Sequence, residues 1–64
     1  MKYQIQFKCN RWCNAGNYSR HVKESYTDLE EARADFKAYK ERTLHDESEI
    51  RLVMAEGRKY TEIK

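Results

Sequence analysis

The chain has 64 residues, 13 basic and 11 acidic, for a net charge of +2, which sets a single domain near the lower size limit for a self-sufficient core. Nowhere does it carry the run of about 20 apolar residues needed to span a bilayer. Residues Met1 to Gln6 alternate polar and apolar instead of forming the apolar stretch of a signal peptide, so a cytoplasmic protein is expected.

Ten strong core formers are present: Phe7, Phe36, Val22, Val53, Leu29, Leu44, Leu52, Ile5, Ile50 and Ile63. Five tyrosines, Trp12 and two methionines add apolar bulk. A core this thin gains from association with a partner or with a second copy. There is no proline, repeat or low-complexity stretch, so residues 1–64 read as one compact domain.

In chain order, Tyr3, Ile5, Phe7 and Cys9 alternate with Lys2, Gln4, Gln6 and Lys8, a strand with the first set inward. Asn10 to Asn17, which holds Trp12 and Gly16, is expected to be a wide loop. A second strand is expected from Tyr18 to Tyr26, with Val22 and the two tyrosines inward. Leu29, Ala32, Phe36 and Tyr39 fall at helical spacing. A capping box Thr27–Glu30, or the same device one residue on at Asp28–Glu31, opens that helix. Acidic residues in its first turn and Lys40 and Arg42 in its last suit the helix dipole, and the register continues to Thr43 or Leu44. A polar loop, His45 to Glu49, leads to a third strand with Ile50, Leu52 and Met54 inward and Arg51 and Val53 outward. Gly57 then turns the chain into a short fourth strand, Lys59 to Ile63.

This predicts an α+β fold in ββαββ order, a three- to four-stranded antiparallel sheet with one helix packed on one face. The other face is expected to be open and mildly basic, carrying Lys2, Gln4, Gln6, Lys8, His21, Lys23, Arg51 and Val53. Charge is segregated: +4 over residues 1–26, −4 over 27–49 and +2 over 50–64. Differently solvated faces account for such a map as readily as binding to partners of opposite sign does.

Chemistry finds little purchase. Cys9, Cys13, His21 and His45 supply zinc-ligand types, but the two histidines are 24 apart in sequence. Ser19 and His21 lack the strained nucleophile turn and glycine-rich oxyanion loop of a hydrolase, and two isolated glycines make no phosphate loop. No enzyme activity and no cofactor are expected. Reduced thiols, with Cys9 in the core and Cys13 partly exposed, fit a cytosolic protein; a turn at Asn10–Arg11 would allow a disulfide instead.

Binding is the remaining function. Arg11 and Trp12 have the composition of an interface hot spot. The acidic pole Asp28, Glu30, Glu31, Asp35, Asp46, Glu47 and Glu49 could occupy a basic groove. Contact candidates for a protein partner are therefore Arg11, Trp12, Glu30, Glu31 and Asp35. For nucleic acid the candidates are Lys8, Lys23 and Arg51 on the open face, although a pI of about 8.6 is low for a dedicated nucleic-acid binder.

A strand that starts at Met1-Lys2-Tyr3-Gln4-Ile5-Gln6-Phe7 leads to Tyr26-Thr27-Asp28-Leu29-Glu30-Glu31-Ala32. A helix rich in Ala, Glu and Lys follows, then a strand and glycine turn over residues 50–63. This layout resembles that of many small bacteriophage and prophage proteins, including some anti-CRISPR inhibitors. The resemblance covers most of the chain and is one of architecture, with no motif whose residues carry over. It implies a stoichiometric, non-catalytic inhibitor of a host or defence complex. The alternative is a small nucleic-acid-binding module. A homodimer fits either reading, because edge strands and a thin core favour self-association.

Overall fold

The computed structural model describes residues 2–63, apart from the side chain of Glu47. Strands β1 (Lys2–Cys9), β2 (Arg11–Asn14), β3 (Ile50–Glu56) and β4 (Lys59–Glu62) form one antiparallel sheet in the order β2-β1-β3-β4. Helix α1 (Leu29–Arg42) packs on one face. The α+β class and the ββαββ order are those expected from the periodicities.

Register fixes the faces. Tyr3, Ile5 and Phe7 of β1 lie opposite Met54, Leu52 and Ile50 of β3, all toward the helix. Ile5, Leu52, Val22, Tyr26, Ala15 and Ala32 form the buried cluster, with Leu29, Phe36, Tyr39 and Ile63 packed around it. Helix residues 29, 32, 36 and 39 are the stripe expected from spacing. Gly57, at φ 60°, turns β3 into β4.

The helix takes the later of its two expected starts and ends earlier than the sequence pattern implies. Asp28 is its N-cap, its carboxylate accepting from the Glu30 N–H at 3.0 Å, so the Thr27–Glu30 box does not form. Thr43 caps the other end and Leu44 lies beyond it, fully exposed.

The second strand is where the expectation fails. The partner of β1 is Arg11–Asn14, inside the segment read as a loop. Cys9 pairs with Arg11, and Asn10 alone makes the reversal at φ 68°. Asparagine is one of the few residues other than glycine that adopts this conformation at modest cost. With the turn at Asn10, Cys9 stands at the hairpin tip, exposed and free, and Cys13 is half-buried and free, so Cys9 is not a core residue.

Residues 18–25, expected as strand, are irregular. Val22 and Tyr26 are buried as expected, but Tyr18 is 73% exposed, Arg20 and Glu24 on the same expected face are exposed, and no strand forms over 18–25. The segment is held by the Asn14 amide donating to the Glu24 carbonyl at 2.8 Å and by the Lys23 N–H donating to the Tyr26 hydroxyl at 3.0 Å. Tyr26 then joins the sheet as a single bridge, exchanging two 2.8 Å backbone hydrogen bonds with Tyr3.

Gly16 is therefore not a hairpin turn. It sits in a single 3₁₀ turn, Ala15–Asn17, where a Cβ would lie 2.4 Å from the Lys23 carbonyl oxygen and 2.5 Å from the Glu24 Cα. Both neighbours are backbone and cannot rotate away. Gly16→Ala is expected to destabilise the fold by about 1–3 kcal/mol, the range for overpacking. Urea denaturation followed by far-UV circular dichroism measures it, with Gly57→Ala as a comparison whose cost comes from backbone strain in open space.

Candidate binding surface

Three places on the molecule could carry function: the open sheet face, the seam between α1 and the 18–26 segment, and the concavities beside them.

On the open face stand Lys2, Gln4, Gln6 and Lys8 of β1, Arg51, Val53 and Ala55 of β3, Trp12 of β2, and Tyr60 and Glu62 of β4. Trp12 is opposite Lys8, and Gln6 is opposite Arg51. Trp12 and Arg51 are two strands apart, about 10 Å at sheet spacing. Their side chains nevertheless meet above β1, with the guanidinium carbon 4.1 Å from the indole centroid. Tryptophan is the strongest cation–π partner at this range.

Arg51 Nε also donates to Gln6 Oε1 at 2.8 Å, and Gln6 Nε2 donates to Gln4 Oε1 at 3.3 Å. This bridge explains why Gln6, a polar residue on the solvent side, is only 4% exposed and still hydrogen-bonded. Val53 is fully buried on the same face. The centre of the open face is thus closed over, with Trp12 and Arg51 as its raised part. A shallow depression of about 550 Å³ lies beside it, lined by Lys2, Gln4, Ala55, Glu56, Gly57 and Tyr60.

The seam on the other side is a hydrogen-bonded clamp. The Tyr26 hydroxyl donates to Asp35 Oδ2 at 2.7 Å while accepting from the Lys23 N–H. Lys23 Nζ pairs with Glu31 and lies 5.9 Å from the Tyr26 ring centroid. Burial, and then the bond to Asp35, push the Tyr26 phenol up to about 12. The hydrogen bond that Lys23 donates to Glu31, and then the charge of Glu31, hold the Lys23 ammonium above its ordinary value.

These contacts divide both sets of expected contact residues. Glu31 and Asp35 are already engaged within the fold, and Glu30 alone of the acidic trio is exposed without a side-chain partner among the described residues. Arg33, Lys37 and Glu41 are exposed beside it, so the helix presents mixed charge and not an acidic face. Glu47's side chain lies outside the described residues.

Of the basic trio, Lys8 and Arg51 share the open face, whereas Lys23 is on the helix side in its ion pair. His21 also leaves the open face and lines a pocket of about 230 Å³ with Ser19, Asp35, Tyr39, Arg42 and Thr43. Ser19 Oγ there accepts from the His21 backbone N–H at 3.2 Å. Arg11 sits at the hairpin tip with helix-side parity, so Trp12 faces away from it and toward Arg51. Among the described residues no three His, Cys, Asp or Glu side chains converge as metal ligands.

Sequence reading missed Gln6 as the buried bridge and Arg51 as the partner of Trp12. Cross-strand register carries both, and no local pattern signals a pair 45 residues apart. Set against protein-family models, curated proteins and solved structures, the chain matches none. No helix among the described residues is long and apolar enough to cross a membrane.

The clamp has a pH signature. Folding raises the proton affinity of Tyr26, so its stabilisation is complete below pH 10 and is lost as the pH rises from 10 to about 12. Deprotonation of Lys23, raised from 10.5, removes stability in the same direction. Urea midpoints should therefore fall across this window. Tyr26→Phe, which leaves Asp35 and the Lys23 N–H without their partner, is expected to cost about 1–3 kcal/mol at neutral pH and to flatten the alkaline fall.

Proposed function

We propose that the chain is a small non-catalytic binding protein that covers part of the surface of a larger protein complex, using the open sheet face around Trp12 and Arg51. The observation that carries this reading is the held guanidinium. Trp12 supports it at 4.1 Å and Gln6 accepts from its Nε at 2.8 Å. No ion pair engages it among the described residues. A fixed Arg has already lost rotamer freedom, so less entropy remains to be lost when its outer N–H groups meet a partner's carboxylates. Trp, Arg and Tyr are the residues that dominate protein interfaces, and this face has Trp12, Arg51 and the 45%-exposed Tyr60.

The contact set thus moves from Arg11, Trp12 and the acidic helix residues to the sheet, keeping Trp12 and replacing Arg11, Glu30, Glu31 and Asp35 with Arg51. The partner is an acidic protein surface. A host or defence complex is the setting supported by the layout resemblance to phage-encoded inhibitors.

Nucleic acid is the second reading. The exposed Lys2 and Lys8 beside Arg51, with no carboxylate paired to them among the described residues, favour it. Against it, Arg51 occupies one ring face of Trp12, which leaves that face unable to hold a base.

Affinity capture from bacterial lysate, with and without nuclease and read by mass spectrometry, separates the two. A protein partner that survives nuclease, and whose affinity falls about thirtyfold on Trp12→Ala or Arg51→Gln but little on Glu30→Lys, is the expected result. Partners lost with nuclease, with affinity falling steeply in salt, would transfer the face to nucleic acid. Partner binding that is indifferent to Trp12 and Arg51 would remove the site assignment.

A further inference from the structure

The helix-side face is not fully covered. α1, at 14 residues, spans about 21 Å, whereas the eight residues of β1 span about 26 Å. Tyr26 bridges to Tyr3 just ahead of the helix, and His45 just after it stacks on Phe7, so α1 runs from the Tyr3 end toward the Phe7 end. What it leaves uncovered is the hairpin end of the sheet.

Two of the three exposed large hydrophobic residues among the described residues collect there, Leu44 at full exposure and Tyr18 at 73%. They are linked through half-buried rings. Tyr18 meets Phe7 edge-on at 5.3 Å, and Phe7 stacks on His45 at 5.2 Å, with Leu44 next in the chain. Cys13, opposite Phe7, and the exposed Cys9 border the row. The intramolecular core has no use for Leu44 or the outer part of Tyr18.

The row has a charge polarity as well. Exposed Arg20 stands two residues from Tyr18, and exposed Asp46 two residues from Leu44. Neither side chain is in an ion pair among the described residues. Arg11 is a further exposed cation at the hairpin tip, opposite Cys9. A row with a basic residue beside its Tyr18 end and an acidic one beside its Leu44 end is complementary to itself when turned by a two-fold axis.

We infer that this patch is a homodimer interface, with the axis passing near Phe7 and His45. Leu44 of each copy seats against the second copy's Tyr18, and Asp46 pairs with the second copy's Arg20. Every contact occurs twice, the closed arrangement that halts at two subunits. The open sheet faces stay clear of this contact. The inference is thus independent of what those faces bind.

Sedimentation equilibrium of the full chain from about 10 μM to about 1 mM tests it, because a small patch equilibrates in this affinity range. The wild type is expected to show a monomer–dimer equilibrium. Leu44→Asp should weaken it at least tenfold. Arg20→Glu and Asp46→Arg should each weaken it severalfold, and the double exchange R20E/D46R should restore it to near the wild-type value. All of these side chains are exposed, and circular dichroism verifies that each variant is folded. A wild type that stays monomeric to about 1 mM would overturn the inference. So would a dimer that ignores Leu44→Asp, as one formed through the β4 edge would, or a double exchange no better than its single variants.

Discussion

Tyr26 is the residue on which the arrangement depends. Its backbone exchanges two hydrogen bonds with Tyr3 on the sheet, its hydroxyl reaches Asp35 on the helix, and the same hydroxyl accepts from Lys23 in the connecting segment. Sheet, helix and irregular chain thus meet at one 2%-exposed side chain. In a domain with so few large core residues, hydrophobic burial alone orients the helix only loosely, because apolar contact is non-directional. A buried hydroxyl with both a donor and an acceptor to satisfy supplies the direction. It does so on condition that both partners stay in place, since a half-satisfied buried network is worse than an apolar one.

The clamp also determines which surface remains for binding. Asp35 and Glu31 look like part of an acidic pole in the sequence, but they are spent on Tyr26 and Lys23. The helix is left with Glu30 and Glu41 interleaved with Arg33 and Lys37. The negative segment charge therefore does not become a negative face. On the sheet the opposite happens: Arg51 is bound to neutral partners only, an indole and an amide, and no carboxylate among the described residues pairs with it.

Periodicity made the helix and the last hairpin legible. The 29, 32, 36, 39 stripe and the 50, 52, 54 alternation each reflect one element packing one face against the core. The first hairpin was hidden because its reversal uses Asn10 in place of glycine, and because β2 is too short to show alternation clearly. Gly16 drew attention as a turn residue while its real constraint is a close backbone approach, which exists only once the chain is folded. Tyr18, Val22 and Tyr26 read as a strand face because polar residues fill the places between them. Burial of Val22 and Tyr26 four residues apart, without sheet pairing between them, belongs to an arch. Trp12 was legible as a candidate contact residue, but its partner was not, because Arg51 reaches it across an intervening strand.

The two surfaces that emerge lie on opposite faces of the sheet, and their chemistry differs. The Trp12–Arg51 face is closed at its centre and carries Lys2 and Lys8 beside Arg51, so it is stable in water alone, and the proposed acidic partner would meet those cations. The Leu44–Tyr18 end is apolar and open, a cost to the isolated chain that a second copy would relieve. If both are occupied, the dimer presents two copies of the sheet face held by a rigid core. Binding at one then raises the effective concentration of the other wherever the partner complex repeats its epitope within reach. A domain of 64 residues can bury only a small area per copy, and pairing offers it avidity without a larger fold.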